Sequence, residues 1–192
     1  MFKRIVLTVP LTIIALALVM PAHADTIVYT AILKGTNEVP PNASPGTGTA
    51  TFTLNGNLLT INETFSGLVA PATAAHIHCC APVGVNAAVA VPFTPFPNAT
   101  SGTFNTIVDL SLAATYNAAF ITAEGGTVSG AETALIAAMN SGDTYANIHD
   151  ATFPGGEIRG QIEMVTPEPA SLLLLGTGLI GIVQGIRKKM RS

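Results

Sequence analysis

The sequence predicts an all-β fold, an antiparallel, Greek-key-like β-sandwich with one or two short helices in its crossovers. Three features predict it: short runs rich in Thr, Val, Ile and Phe, apolar residues that alternate with Thr, and turn residues between the runs. In residues 49–54 every second residue is apolar, as a half-buried strand requires. Asn55-Gly56-Asn57 predicts a hairpin, because Gly and Asn tolerate positive φ. The predicted strands are residues 26–33, 49–54, 58–65, 102–110, 144–149 and 157–164.

One segment has a helical pattern instead. In residues 129–139, Leu135, Ile136 and Met139 fall on one side of a helix. Ser129 would cap its first turn, with Glu132 three residues later as the partner in a capping box. We therefore expect a helix in a crossover between strands.

The first 24 residues have the three parts of a signal peptide. Lys3 and Arg4 precede an apolar stretch at residues 5–19, and Ala22-His23-Ala24 forms a small-x-small cleavage site. Cleavage after Ala24 would leave residue 25 as the new N-terminus. The alternative is an uncleaved membrane anchor.

The last 27 residues, 166–192, combine a Pro-Glu-Pro tripeptide with a hydrophobic span and a basic end. Pro167, Glu168 and Pro169 precede the uncharged residues 170–186, and four cations follow within residues 187–191. A span of 17 residues is near the minimum for a membrane helix across a hydrocarbon core of roughly 30 Å. The cations after it predict a cytoplasmic C-terminus.

This tail resembles a PEP-CTERM sorting signal. The resemblance implies an exported protein, held transiently in the inner membrane until an exosortase-type enzyme cuts near the tripeptide. The protein then reaches the cell surface or the extracellular matrix. If the tail is a permanent anchor instead, the domain stays in the periplasm.

Residues 25–165 remain as one acidic domain. They contain ten acidic and two basic residues, a formal charge of −8. A domain of this charge repels nucleic acid, and cations are its natural small partners.

Three motifs of this domain resemble a CHRD domain. They are the Gly-Thr-Asn-Glu-Val-Pro-Pro of residues 35–41, the Ala-His-Ile-His of residues 75–78, and residues 145–149 together with 154–162. The resemblance implies an extracellular β-sandwich module.

The histidines of these motifs are the candidates for chemistry. His76 and His78 are two residues apart, so on a strand they share one face, with Ile77 towards the core. If the strand that contains His149 is a neighbour, three imidazoles converge on the outer surface. Imidazole is a common ligand of Cu and Zn, and three nitrogens leave a coordination position open. The alternative is that these histidines are solvated or hydrogen-bonded without a metal. The His-x-His motif is also similar to that of copper-zinc superoxide dismutase, over a few residues only.

Cys79 and Cys80 are the two cysteines of the chain. In an oxidising compartment they form a disulfide with each other, pair between molecules, or act as soft ligands beside His78.

Glu157 and Arg159 are two residues apart on the last predicted strand, and we expect them to form an exposed ion pair. The alternative for Arg159 is a carboxylate-binding site.

The function predicted from these features is that of a non-catalytic surface or matrix protein, adhesive or structural in a biofilm. Matrix polysaccharide or surface proteins are its expected partners. The alternative is an exported Cu or Zn protein that uses His76, His78 and His149, with a chemistry similar to superoxide dismutase. No catalytic residue set stands out in the sequence.

Overall fold

The computed structural model describes residues 26–165, which form nine strands and two short helices. The strands are β1 (Ile27–Lys34), β2 (Thr47–Asn55), β3 (Leu58–Ser66), β4 (Ala72–Cys79), β5 (Ala88–Pro92), β6 (Gly102–Asp109), β7 (Thr144–Asp150), β8 (Ile158–Gln161) and β9 (Glu163–Met164). The helices are α1 (Ala118–Ala123) and α2 (Val128–Ser141). A 3-10 turn at Gly35–Asn37 follows β1, and a second lies at Ala113–Thr115.

All neighbouring strands are antiparallel, and they form one sheet in the order β5-β4-β7-β8-β1-β2-β3-β6. The short β9 also pairs with β1. The sheet curls into a half-barrel, so its two ends share one core. The predicted all-β, antiparallel class with short helices is confirmed. Hydrogen bonds run without a break from one end of the sheet to the other, so the layers of the sandwich are joined.

The core follows from the alternation seen in the sequence. Ala50, Phe52 and Leu54 of β2 are buried, while the Thr residues between them are more exposed. Phe93 and Phe104 stack near the centre with their rings 5.1 Å apart. Helix α2 covers this core with Leu135 and Met139, both fully buried. Burial of these side chains is the main stabilising contribution to the fold.

The predicted hairpin is present between β2 and β3. Gly56 takes a φ of 58° in the two-residue turn, a conformation that glycine adopts without steric cost. Three elements are absent from the elements predicted above: the strand β4, the edge strand β5 and the helix α1. Both β5 and α1 are short, and β5 contains Pro92 at its end.

The predicted start of the helix is wrong. Thr127 caps α2, because its hydroxyl oxygen accepts a hydrogen bond from the backbone N–H of Gly130 at 3.0 Å. Ser129 lies inside the first turn, so it does not form a capping box with Glu132. Thr127 has the extended backbone that a capping residue needs, and this lets the helix begin earlier.

The predicted signal peptide and the predicted membrane helix of the tail lie outside the described residues. Within residues 26–165, no helix is both long enough and apolar enough to span a membrane.

Candidate metal centre

The pairing of β4 with β7 brings the three histidines together. In this ladder His76 lies opposite Asn147, His78 opposite Tyr145 and Ala74 opposite His149. Directly opposite residues project from the same side of a sheet, so all of these polar side chains share one face. The other face carries Ile77 and Ile148, both fully buried. The two strands that the sequence could not place relative to each other are therefore neighbours.

The three imidazole rings form a compact triangle. The ring centroids are 5.5 Å apart for His76 and His78, 5.1 Å for His76 and His149, and 6.0 Å for His78 and His149. One ring nitrogen from each residue lies within 4.8 Å of the other two. Metal–nitrogen bonds of about 2.0–2.1 Å require nitrogens about 3.4 Å apart. Small rotations of the side chains would close that difference.

Two of the rings are oriented by backbone carbonyls. Nδ1 of His78 lies 2.9 Å from the carbonyl oxygen of Ala87, and Nδ1 of His149 lies 3.0 Å from that of Pro154. A carbonyl oxygen only accepts, so each Nδ1 carries the proton and donates it. In the neutral ring the lone pair is then on Nε2, which is free to bind a metal.

The nitrogens that remain are buried and have no partner. Nδ1 of His76, Nε2 of His78 and Nε2 of His149 are all inaccessible and make no hydrogen bond. An unsatisfied buried polar atom costs roughly 1–3 kcal/mol. Three such atoms in one cluster are therefore an arrangement that a metal ion would satisfy, and neutral imidazole nitrogen suits Cu and Zn.

Burial also keeps the rings neutral. Desolvation, followed by repulsion from the other two histidines, lowers the pKa of His76 to about 4. Desolvation likewise lowers the pKa of His78 to about 4, and the nearby Arg159 contributes in the same direction. The pKa of His149 is lowered by desolvation as well. At neutral pH the three lone pairs are consequently available without the loss of a proton.

The cluster is less exposed than the sequence predicted. His78 is 8% exposed, and His76 and His149 are half-buried. Residues 80–87 and 151–157 supply the two carbonyl acceptors, so these loops cover part of the face that strand alternation alone would leave open.

Tyr145 is a residue of this site that the sequence analysis did not single out. Its ring stacks on that of His78 with centroids 4.7 Å apart and an angle of 3° between the planes. Its hydroxyl oxygen accepts a hydrogen bond from the N–H of Ala87, the residue whose carbonyl holds His78. The sequence signal that could have identified Tyr145 is its position in the Tyr-Ala-Asn-Ile-His motif, four residues before His149.

The cysteines do not join the histidines. The sulfur atoms of Cys79 and Cys80 are bonded to each other. Cys79 is 4% exposed and packs in the hydrophobic core, on the side of β4 opposite to His78. Strand alternation explains why Cys79 lies on the face opposite to His78. This placement gives no support to the interpretation of the cysteines as metal ligands.

The predicted exposed ion pair of Glu157 and Arg159 is wrong, because both side chains are buried. Glu157 accepts hydrogen bonds from the Ser44 hydroxyl at 2.6 Å and from the N–H of Val69 at 2.7 Å. Arg159 makes no ion pair with Glu157 among the described contacts, and its guanidinium group stacks on the ring of Tyr145. Loops cover this end of the strand, and they supply partners that sequence spacing does not reveal.

Comparison with known proteins gives two findings. A family model described as CHRD domain matches residues 29–162, and one described as PEP-CTERM protein-sorting motif matches residues 165–188. No curated protein and no solved structure matches the chain. The sorting motif implies recognition by an exosortase, and thus an exported protein that is processed at its C-terminus.

Proposed function

This chain belongs to the CHRD domain family, and we propose that it is an exported protein whose domain binds one Cu or Zn ion through His76, His78 and His149. The convergence of three buried, unpartnered imidazole nitrogens carries the proposal. The carbonyls of Ala87 and Pro154 support it, because they hold the proton on Nδ1 of His78 and His149 and leave the Nε2 lone pairs of both rings without a partner. The net negative charge of residues 25–165 also favours the binding of a cation.

The donor set also limits the metal. Three nitrogens without a carboxylate suit Cu or Zn and do not suit Ca or Mg, which need oxygen ligands. A fourth position remains for water or for a ligand from outside the domain.

The test is the metal content of the full-length protein, purified in detergent without chelators and then dialysed against Cu or Zn. We expect one ion per chain, measured by mass spectrometry of the elements. A protein that stays empty after loading contradicts the proposal. Loaded protein, freed of unbound ion by gel filtration, should also be assayed for superoxide dismutation, and we expect no turnover above that of the metal-free protein.

The biological role that we propose is structural, at the cell surface or in the extracellular matrix. The sorting motif supports an exported location, and the metal-ligating group in residues 26–165 consists of histidines without a carboxylate beside them.

The structural role predicts a defect in the host cell. Deletion of the gene should reduce surface attachment and matrix mass, as measured by adherent biomass. Complementation with the wild-type gene should restore both. Attachment and matrix that are unchanged by the deletion would argue against this role while leaving the metal site intact.

A further inference from the structure

A cleft of about 610 Å³ opens on the outer face of β1 and β8, and no histidine lines it. Its volume is within the range of about 300–1,000 Å³ that small-molecule sites occupy. Glu38 and Arg159 lie in its lining, together with Ile32 and Val83. The metal-binding proposal makes no use of this cleft.

Three charged side chains line the cleft, Glu38, Arg159 and the exposed Glu163, and the first two are fixed in place. Arg159 is 2% exposed and donates to Oδ1 of Asn86 at 3.0 Å and to the carbonyl oxygen of Val85 at 2.8 Å. Its guanidinium carbon lies 3.3 Å from the centre of the Tyr145 ring. Such a cation–π contact and two hydrogen bonds leave the side chain little rotational freedom, so its ordering entropy is lost on folding rather than on binding.

Glu38 is held as firmly. It is 6% exposed, and its Oε1 accepts a hydrogen bond from Nδ2 of Asn147 at 2.6 Å. Gly156 makes room for it, because a Cβ at that position would lie 2.7 Å from the same oxygen. Burial raises the pKa of Glu38 to about 7, against the opposing effects of the Asn147 hydrogen bond and of the nearby Arg159 guanidinium. The cleft therefore offers a donor and an acceptor together.

The walls are apolar and open to solvent. Ile32 is 63% exposed and Val83 is 74% exposed, and both line the cleft beside Val39 and Pro41. A ligand that fits must present an apolar surface to these side chains and polar groups to Glu38 and Arg159.

The charges of the cleft and the pairing of β1 narrow the class of ligand. Glu38 beside Arg159 opposes a carboxylate ligand, and the charge of −8 on residues 25–165 opposes a polyanion. Arg159 disfavours a cation next to Glu38, because the guanidinium already interacts with that side chain. Strand β1 is paired with β2 along its whole length, and β8 and β9 pair with its two ends on the other side. Gly160 of β8 lies against the backbone of Ile32, so an extended peptide has no room to add a strand there. A hydroxyl group both donates and accepts, and so it matches the mixed pair.

We propose that this cleft binds a pyranose ring of a neutral polysaccharide. The ring hydroxyls bond to Glu38 and Arg159, and the C–H face of the sugar packs on Ile32 and Val83. This site adjoins the metal centre, because Arg159 stacks on Tyr145, but it contains no histidine and does not need a metal.

The test is calorimetric titration of the full-length protein in detergent and EDTA with four neutral tetrasaccharides, built from glucose with β-1,4 links, glucose with α-1,4 links, mannose, or N-acetylglucosamine. We expect at least one to bind. Ile32→Asp should weaken that binding at least ~10-fold, because it replaces an apolar contact with a charged carboxylate against the C–H face of the sugar.

The matched control is Ile107→Asp. Ile107 is 64% exposed, like Ile32, but it lies on the edge strand β6 and outside the cleft. The Ile107→Asp variant should leave sugar binding unchanged, and the melting temperatures of both variants should lie within a few degrees of that of the wild type. Failure of all four sugars to bind overturns the proposal, and so does equal weakening by the two variants. Preferential binding of an acidic oligosaccharide or of a peptide overturns it too. Because EDTA removes metal throughout, a failure here is distinct from a failure of the metal site.

Discussion

In the His78→Ala protein we expect the affinity for Cu and Zn to fall at least ~100-fold relative to the wild type. Structural zinc sites bind with roughly 10–16 kcal/mol spread over four ligands, so one ligand accounts for roughly 3 kcal/mol. That free energy corresponds to about two orders of magnitude in the dissociation constant. His78 is the most buried of the three ligands, and its Nδ1 is already bonded to Ala87. Competition with a chromophoric chelator measures the affinity.

Loss of the stacked ring next to Tyr145 will also affect stability, so a second variant is needed. His149→Gln changes a half-buried ring outside that stack and should show a similar loss of affinity. Asn105→Ala, on the exposed side of β6, is the control and should bind metal as the wild type does. Circular dichroism in EDTA shows whether each variant is folded. Folded His variants that bind with wild-type affinity would exclude the site.

Glu63→Met should stabilise the protein by roughly 4 kcal/mol at pH 9 and far less at pH 5. Glu63 is fully buried on β3 between Ala50 and Phe104, and neither carboxyl oxygen has a hydrogen-bond partner. Burial raises its pKa from 4.5 to about 8. The folded protein therefore holds a proton that the unfolded chain has released. Each unit of such a difference is worth about 1.4 kcal/mol.

The sign of the pH dependence follows from this difference. Glu63 contributes no penalty below about pH 4.5, where it is protonated in both states, and stability falls as the pH rises towards 8. Urea unfolding between pH 5 and pH 9 measures the effect. Glu163→Met, at an exposed position of β9, is the matched control and should keep the wild-type profile. Parallel pH profiles for the wild type and Glu63→Met would show that Glu63 does not titrate in this range.

The local pattern of the sequence determined much of this molecule. Apolar residues that alternate with Thr define β2, and the same alternation puts His76 and His78 on one face and Ile77 in the core. Alternation also places Glu63 on the core face with Ile61 and Phe65, a signal that the sequence analysis left unused. These features are predictable because the side chains of a strand alternate between its two faces whatever the rest of the chain does.

Tertiary structure alone decided which segments meet. The pairing of β4 with β7 brings His149 to His76 and His78, and nothing in the local sequence specifies that register. The loops decided burial: residues 80–87 and 151–157 orient two of the rings, and Glu38 reaches Asn147 from the other end of the domain. The sequence predicted an exposed Arg159 because the local pattern does not show that loops cover its end of the strand. Strand periodicity specifies the face on which a side chain lies, whereas long-range packing specifies which loops cover that face. The loops bury and orient the polar side chains, and this makes them a candidate site.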